Sequence, residues 1–139
     1  MPGLGYELAD IVEGIWLSLF EIRVTPEEPA SLAGRQAPTS AGIVHLSGAW
    51  EGSVAIQCAE SLIYRLRPTT VGDLARMIAE GFRTLVPEPC ALSAPETAIG
   101  TDFRLQVPNA AQVLQSAFRA GDQVFSVTIF QRLPVSAAG

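Results

Sequence analysis

Four charged residues share the stretch VGDLARMIAEGFRTL at positions 71–85: Asp73, Arg76, Glu80 and Arg83. Their spacing puts them on one face of a helix, opposite the apolar residues of the same stretch. Two carboxylates and two guanidiniums in a row have two uses. They can pair with one another as a solvated ladder worth about 0.2–0.5 kcal/mol per pair. They can also face a charged partner, as the worn remains of an active site. Asp73 has a structural use as well, since Thr70-x-x-Asp73 fits a capping box. An acid in the first turn also complements the helix dipole by about 0.3–1 kcal/mol.

The rest of the chain narrows the chemistry. It has no lysine, which excludes Schiff-base enzymes and P-loop nucleotide binders. Its one histidine, His45, rules out a histidine pair for a metal, and with no acid or nucleophile evident beside it the residue reads as structural. Cys58 and Cys90 lie too far apart for a C-x-x-C redox or zinc pair, and read as buried, inert thiols. The net charge of −5 and the scattered arginines, of which only Arg65 and Arg67 are close together, argue against nucleic acid.

Length and composition give the frame. At 139 residues, 48% apolar and 17% charged, the chain suits one compact domain with ample core material. No apolar run reaches the roughly 18 residues of a membrane span. The acidic start MPGLGYELADIVEG lacks the basic region of a signal peptide. The expectation is a cytoplasmic protein that binds neither membrane nor nucleic acid.

The elements that must position the charged row follow from periodicity. Residues 6–20 read as a helix with an apolar stripe of Leu8, Ile11, Val12, Ile15 and Leu19. Glu13 and Trp16 repeat the acid-x-x spacing there, but an indole cannot orient water as an amide does, so packing is expected. IRVT at 22–25 suggests a short strand, and the Pro-, Gly- and Ser-rich 26–41 an irregular loop. Residues 42–49 and 53–58 alternate around Trp50-Glu51-Gly52, which signals a hairpin flanked by Gly48 and Gly52. Period two with a polar second face predicts an antiparallel sheet covered on one side.

Residues 59–68 predict a short helix ended by Pro68, followed by the helix at 71–85. Extended segments are expected near 90–99, where Pro95 sets an edge or a strand start, and at 102–107, 113–119 and 123–132. The expected ordered core is 6–132, with a flexible tail at 133–139. "ADIVEGI" in the first helix sits beside "GDLARMI" in the second, each followed by a strand pair, which reads either as an internal duplication or as chance. The fold class expected is α+β, an antiparallel sheet packed on two long helices.

Three stretches carry a resemblance. "GIVHLSGAWEGSVAIQCAESL" resembles the G-x-V-x-L-x-G-x-x-x-G-x-V-x-L hairpin and following helix of the CheX/CheC chemotaxis phosphatase family. "VGDLARMIAEGFRTL" is similar to its central helix, x-G-E-L-A-N-M-I-A-G-N. "ALSAPETAIG" resembles its L-S-x-P-x-x-x-x-G. Together they span about residues 6 to 132 in order, and by length CheX is the nearer pattern. The resemblance implies a CheC-like fold and hydrolysis of the phospho-aspartate of a CheY-like response regulator. It implies an acid on the central helix that engages a regulator lysine, and an asparagine three residues on that orients the attacking water. The chain itself would bind no cofactor, the magnesium belonging to the partner receiver domain. Such catalysis is positioning plus electrostatics.

Both motif positions depart from that pattern. Asp73 keeps the charge one methylene shorter, and Arg76 replaces the asparagine. An amide accepts and donates, whereas a guanidinium only donates and cannot hold a water through its proton. The expectation is a domain that binds a phosphorylated receiver through Asp73, Arg76, Glu80 and Arg83, with phosphatase activity weak or lost. One alternative is a non-catalytic assembly or homodimer module, with Val124 and Phe130 on the otherwise polar face of the last strand as its surface. Another is an active phosphatase in which Arg76 sits on phosphoryl oxygens beside Asp73.

Overall fold

The structure is a computed structural model that describes residues 4–27, 39–99 and 110–132. Chain order is helix α1 (Leu4–Phe20), strands β1 (Thr25–Glu27), β2 (Thr39–Gly48) and β3 (Gly52–Ala59), then helices α2 (Glu60–Arg65) and α3 (Val71–Phe82). A 3-10 turn (Arg83–Leu85) leads to β4 (Cys90–Leu92), β5 (Glu96–Ile99), β6 (Ala110–Ala120) and β7 (Gln123–Arg132). The expected strand at 102–107 and the tail after residue 132 lie outside the described residues.

The strands form one antiparallel sheet in the order β1-β6-β7-β3-β2-β4, with β5 also on β2. The hairpins β2–β3 and β6–β7 meet through their second strands, Val54 opposite Ile129 and Ile56 opposite Val127. One hairpin follows the 17-residue α1 and the other the 12-residue α3, which is the arrangement a duplicated helix-plus-hairpin unit produces. The third helix, α2, is short.

One continuous core lies between the sheet and the helices. Leu8, Val12 and Trp16 of α1 and Leu74, Ala75, Ile78 and Phe82 of α3 meet Val44, Val54, Ile56, Phe125, Val127 and Ile129 of the sheet. Trp16 stacks on Phe125 at 4.4 Å and Phe125 on Phe118 at 5.4 Å, so Trp16 is core, as its packing role predicts. Leu19 does not join the expected stripe. It is 53% exposed, because the buried line runs through Leu8, Val12 and Trp16 at a strict four-residue step and rotates away from position 19.

Boundaries differ where local chemistry decides them. The short strand begins at Thr25, not residue 22, and β2 begins at Thr39, inside the stretch read as loop. The segment at 90–99 is two strands, because residues 93–95 leave the ladder at Pro95. α3 ends at Phe82, so Arg83 belongs to the 3-10 turn.

The second sheet face is not polar throughout. Ile43, Ala55 and Phe130 cluster there, and Ser53, Ser126 and Thr128 are buried beside them. Serine and threonine are mostly exposed in proteins, so their alternation looks solvent-facing in sequence, but here they lie on β3 and β7 at the centre of the sheet. Val124 and Phe130, 3% and 4% exposed, are therefore not the exposed dimer surface the sequence suggests.

Candidate functional site

α3 is seated by close contacts beneath it. A Cβ on Gly42 of β2 would lie 2.6 Å from the Val71 carbonyl oxygen and 3.2 Å from the Ala75 Cβ. Gly72 faces Pro95 and Thr97, where a Cβ would sit 3.2 and 3.3 Å from their side chains. Gly81 admits Ile11 of α1 at 2.7 Å from its own would-be Cβ. The hairpin, the central helix and the Ser-x-Pro stretch thus converge on the first turn of α3, although they are separate in sequence.

The outer side of α3 carries the row. Asp73, Arg76, Glu80 and Arg83 are all exposed. Thr70 and Asp73 close a reciprocal capping box: the Asp73 N–H donates to Thr70 Oγ1 at 3.1 Å, and the Thr70 N–H donates to Asp73 Oδ2 at 3.0 Å. Arg76 pairs with Glu80, its Nε donating to Oε1 at 3.4 Å, and not with Asp73. At this length and exposure the pair contributes a few tenths of a kcal/mol. Arg83 has no carboxylate partner among the described residues. The structure therefore places the four on one surface but links only Arg76 and Glu80 to each other.

Neither α1 nor α3 contains an asparagine or glutamine. Neither helix therefore offers an amide to hold a water through its proton and its lone pairs together. Among the described residues no cluster of three His, Cys, Asp or Glu side chains is placed to hold a metal. No helix there is long and apolar enough to cross a membrane.

The second charged constellation escaped sequence reasoning. His45 Nδ1 lies 2.7 Å from Ser53 Oγ and its Nε2 lies 2.6 Å from Glu96 Oε2. The partners stand 8 and 51 residues away, so no local pattern announces them. A serine, a histidine and an acid in line suggest nucleophilic chemistry, but Ser53 is only 2% exposed and out of reach of a substrate. The array works as a strap. Ser93 exchanges hydrogen bonds with the His45 backbone at 2.9 Å, Glu96 holds the imidazole, and the intervening Pro95 is thereby pressed on Gly72. The structural role expected of His45 thus has a partner for each ring nitrogen.

Both cysteines are free and buried. Burial pushes the Cys58 thiol far above its ordinary value, and the Cys90 S–H donates to the Trp50 carbonyl at 3.3 Å.

No family model and no curated protein sequence matches the chain. Solved structures do. The chemotaxis protein CheX from Vibrio vulnificus is similar with a TM-score of 0.69 at 15% identity, covering 91% of this chain and 95% of that one. The CheX–CheY–BeF3–Mg2+ complex from Borrelia burgdorferi gives 0.65 at 17% identity, with 91% and 96% covered. A CheC-like superfamily protein from Shewanella sp. PV-4 gives 0.58 at 14%, with 89% and 95% covered. The chain has the fold of the CheX and CheC-like proteins.

Proposed function

We propose that this chain docks a phosphorylated CheY-like receiver domain through the outer face of α3, and that its capacity to hydrolyse the aspartyl phosphate is weak or lost. The observation that carries the reading is the state of the α3 row. The position that the family resemblance assigns to a water-orienting asparagine holds Arg76, turned toward Glu80. The similarity to a CheX solved together with CheY supports the choice of partner.

In this reading Asp73 supplies the charge that meets a cation of the receiver, while its own cap keeps the carboxylate in place. Arg76 and Arg83 offer donors to the acidic surroundings of a phosphorylated aspartate. The divalent metal is the receiver's own, and this chain adds no ligand to it. Hydrolysis needs a water aligned opposite the leaving oxygen. A water set by a guanidinium alone has its lone pairs engaged and its protons unheld, the wrong polarity for attack.

The test is the decay of a phosphorylated CheY-like receiver in magnesium, with wild type and with Arg76→Asn. Binding by both and acceleration by Arg76→Asn alone is the expected result. Acceleration by wild type that Arg76→Ala abolishes would instead establish an enzyme working through Asp73 and Arg76. No binding to receivers in either phosphorylation state at micromolar concentration would leave the non-catalytic assembly module as the better account.

A further inference from the structure

Alternation along β5 divides its side chains between the two faces of the sheet. Glu96 stands opposite Ile43 and Thr97 opposite Gly42, and directly opposed residues share a face. Glu96 is therefore on the face of Ile43 and His45, away from the helices. Thr97 is on the face of Gly42, beneath α3. The contacts agree with that division. Glu96 Oε2 lies 2.6 Å from His45 Nε2, whereas a Cβ on Gly72 would sit 3.2 Å from the Pro95 side chain and 3.3 Å from that of Thr97. One short stretch of chain thus touches the imidazole on one face and the first turn of α3 on the other.

Residues 93–96 form an arch with both feet on His45. At one foot the Ser93 N–H donates to the His45 carbonyl and the His45 N–H donates to Ser93 Oγ, each at 2.9 Å. At the other foot the imidazole meets the Glu96 carboxylate. The second ring nitrogen is held by Ser53 Oγ at 2.7 Å, and Ser53 is buried, so the ring cannot turn away without leaving a buried hydroxyl unpaired. Pro95 is the crown of the arch and rests on Gly72. The next residue, Asp73, closes the cap with Thr70. The foot at Glu96 is the one solvent reaches, the two side chains being 36% and 65% exposed, so it can open without unpacking the core.

We infer that His45 and Glu96, through their hydrogen bond, are positioning residues for Asp73 from the far face of the sheet. They act by way of Pro95 and Thr97 on Gly72, and so set how the first turn of α3 is presented to a partner. The effect on a partner rests on the docking reading above; the coupling itself rests on contacts within this chain.

The test follows backbone amides of the full chain by NMR in wild type, Glu96→Ala, Glu96→Gln and Glu51→Ala. Glutamine keeps an oxygen that accepts from an imidazole N–H, and alanine does not. Glu51→Ala is the control, since it removes a different exposed ion pair, that with Arg132 of β7. In Glu96→Ala the Gly72 and Asp73 amides should shift and the Asp73 amide should exchange about tenfold faster, with those of Ile78 to Phe82 unchanged. Glu96→Gln and Glu51→Ala should stay near wild type. Affinity for a phosphorylated CheY-like receiver should follow the same order, falling several-fold in Glu96→Ala alone. Unchanged Gly72 and Asp73 amides in Glu96→Ala would overturn the inference. So would an equal effect in Glu96→Gln or Glu51→Ala, or a loss of protection spread evenly along α3. Amides that respond while receiver affinity stays constant would refute the effect on docking. Failure of wild type to bind any receiver would refute the docking reading alone, and the amides would still decide the coupling.

Discussion

At the residue scale, Asp73 does two jobs that substitutions can separate. Its carboxylate accepts from the Thr70 N–H, and its charge sits at a helix N-terminus. Thr70→Ala removes the cap oxygen and should cost about 1 kcal/mol in urea unfolding. Asp73→Asn retains an acceptor for the cap and loses only the charge. It should cost a few tenths of a kcal/mol yet weaken receiver binding about tenfold if the docking proposal is right; unchanged binding would remove Asp73 from that interface. The cap was legible because both partners lie within one turn. The pairing of Arg76 was not, since Asp73 three residues before it and Glu80 four after it are both in reach, and only the finished cap shows that Asp73 is engaged. Cys58 gives a pH dependence of definite sign. Its thiol is held protonated in the folded state, whereas the unfolded thiol ionises near pH 8.5. Above that pH the folded state binds the extra proton, so stability is intact below about pH 8.5 and falls above it, by at most about 1.4 kcal/mol per pH unit. Urea midpoints at pH 8 and 10 should therefore converge in Cys58→Ala relative to wild type.

At the scale of elements, the glycines under α3 make a graded prediction. At Gly42 the obstacle is the backbone carbonyl of Val71, which cannot yield without moving the helix. Gly42→Ala should cost about 3 kcal/mol, the upper end of overpacking. At Gly81 the obstacle is the Ile11 Cγ2 methyl, a side-chain branch and not backbone. There Gly81→Ala recovers up to about 1 kcal/mol of helix propensity, so its net cost should be smaller than that at Gly42. A larger loss at Gly81 than at Gly42 would mean that α1, not the sheet, fixes the helix. The elements themselves were mostly visible in the sequence. The hairpin around Trp50 and the last strand announce themselves by alternation, and both long helices by an apolar face. The break in the segment near Pro95 and the register slip of β6 at Val113 were not visible, because each depends on what lies across the ladder. The strap through His45 was hidden for the same reason, its acid standing on a strand far away in the chain.

At the scale of the whole molecule, Trp16 and Trp50 report from opposite parts of one core. Trp16 stacks on Phe125, while Trp50 meets Phe82 edge-on at 5.3 Å, and both pack in the same cluster. Single-tryptophan variants should give superimposable urea transitions, and Phe125→Ala should shift both together by about 3–5 kcal/mol. Separate midpoints would divide the molecule into two units, one per hairpin. The α+β class and the one-sided helix layer were readable from pattern, but burial on the second face was not, since serine and threonine give no sign of it. Helix α3 is held from below by glycine gaps and from its start by a cap and a strap, while its outward charges contribute only tenths of a kcal/mol to folding. Arg76, Glu80 and Arg83 are thus free to be rewritten with little effect on the architecture, whereas Asp73 is tied to the cap; under the docking proposal, it is those three positions that can be exchanged to suit a different partner.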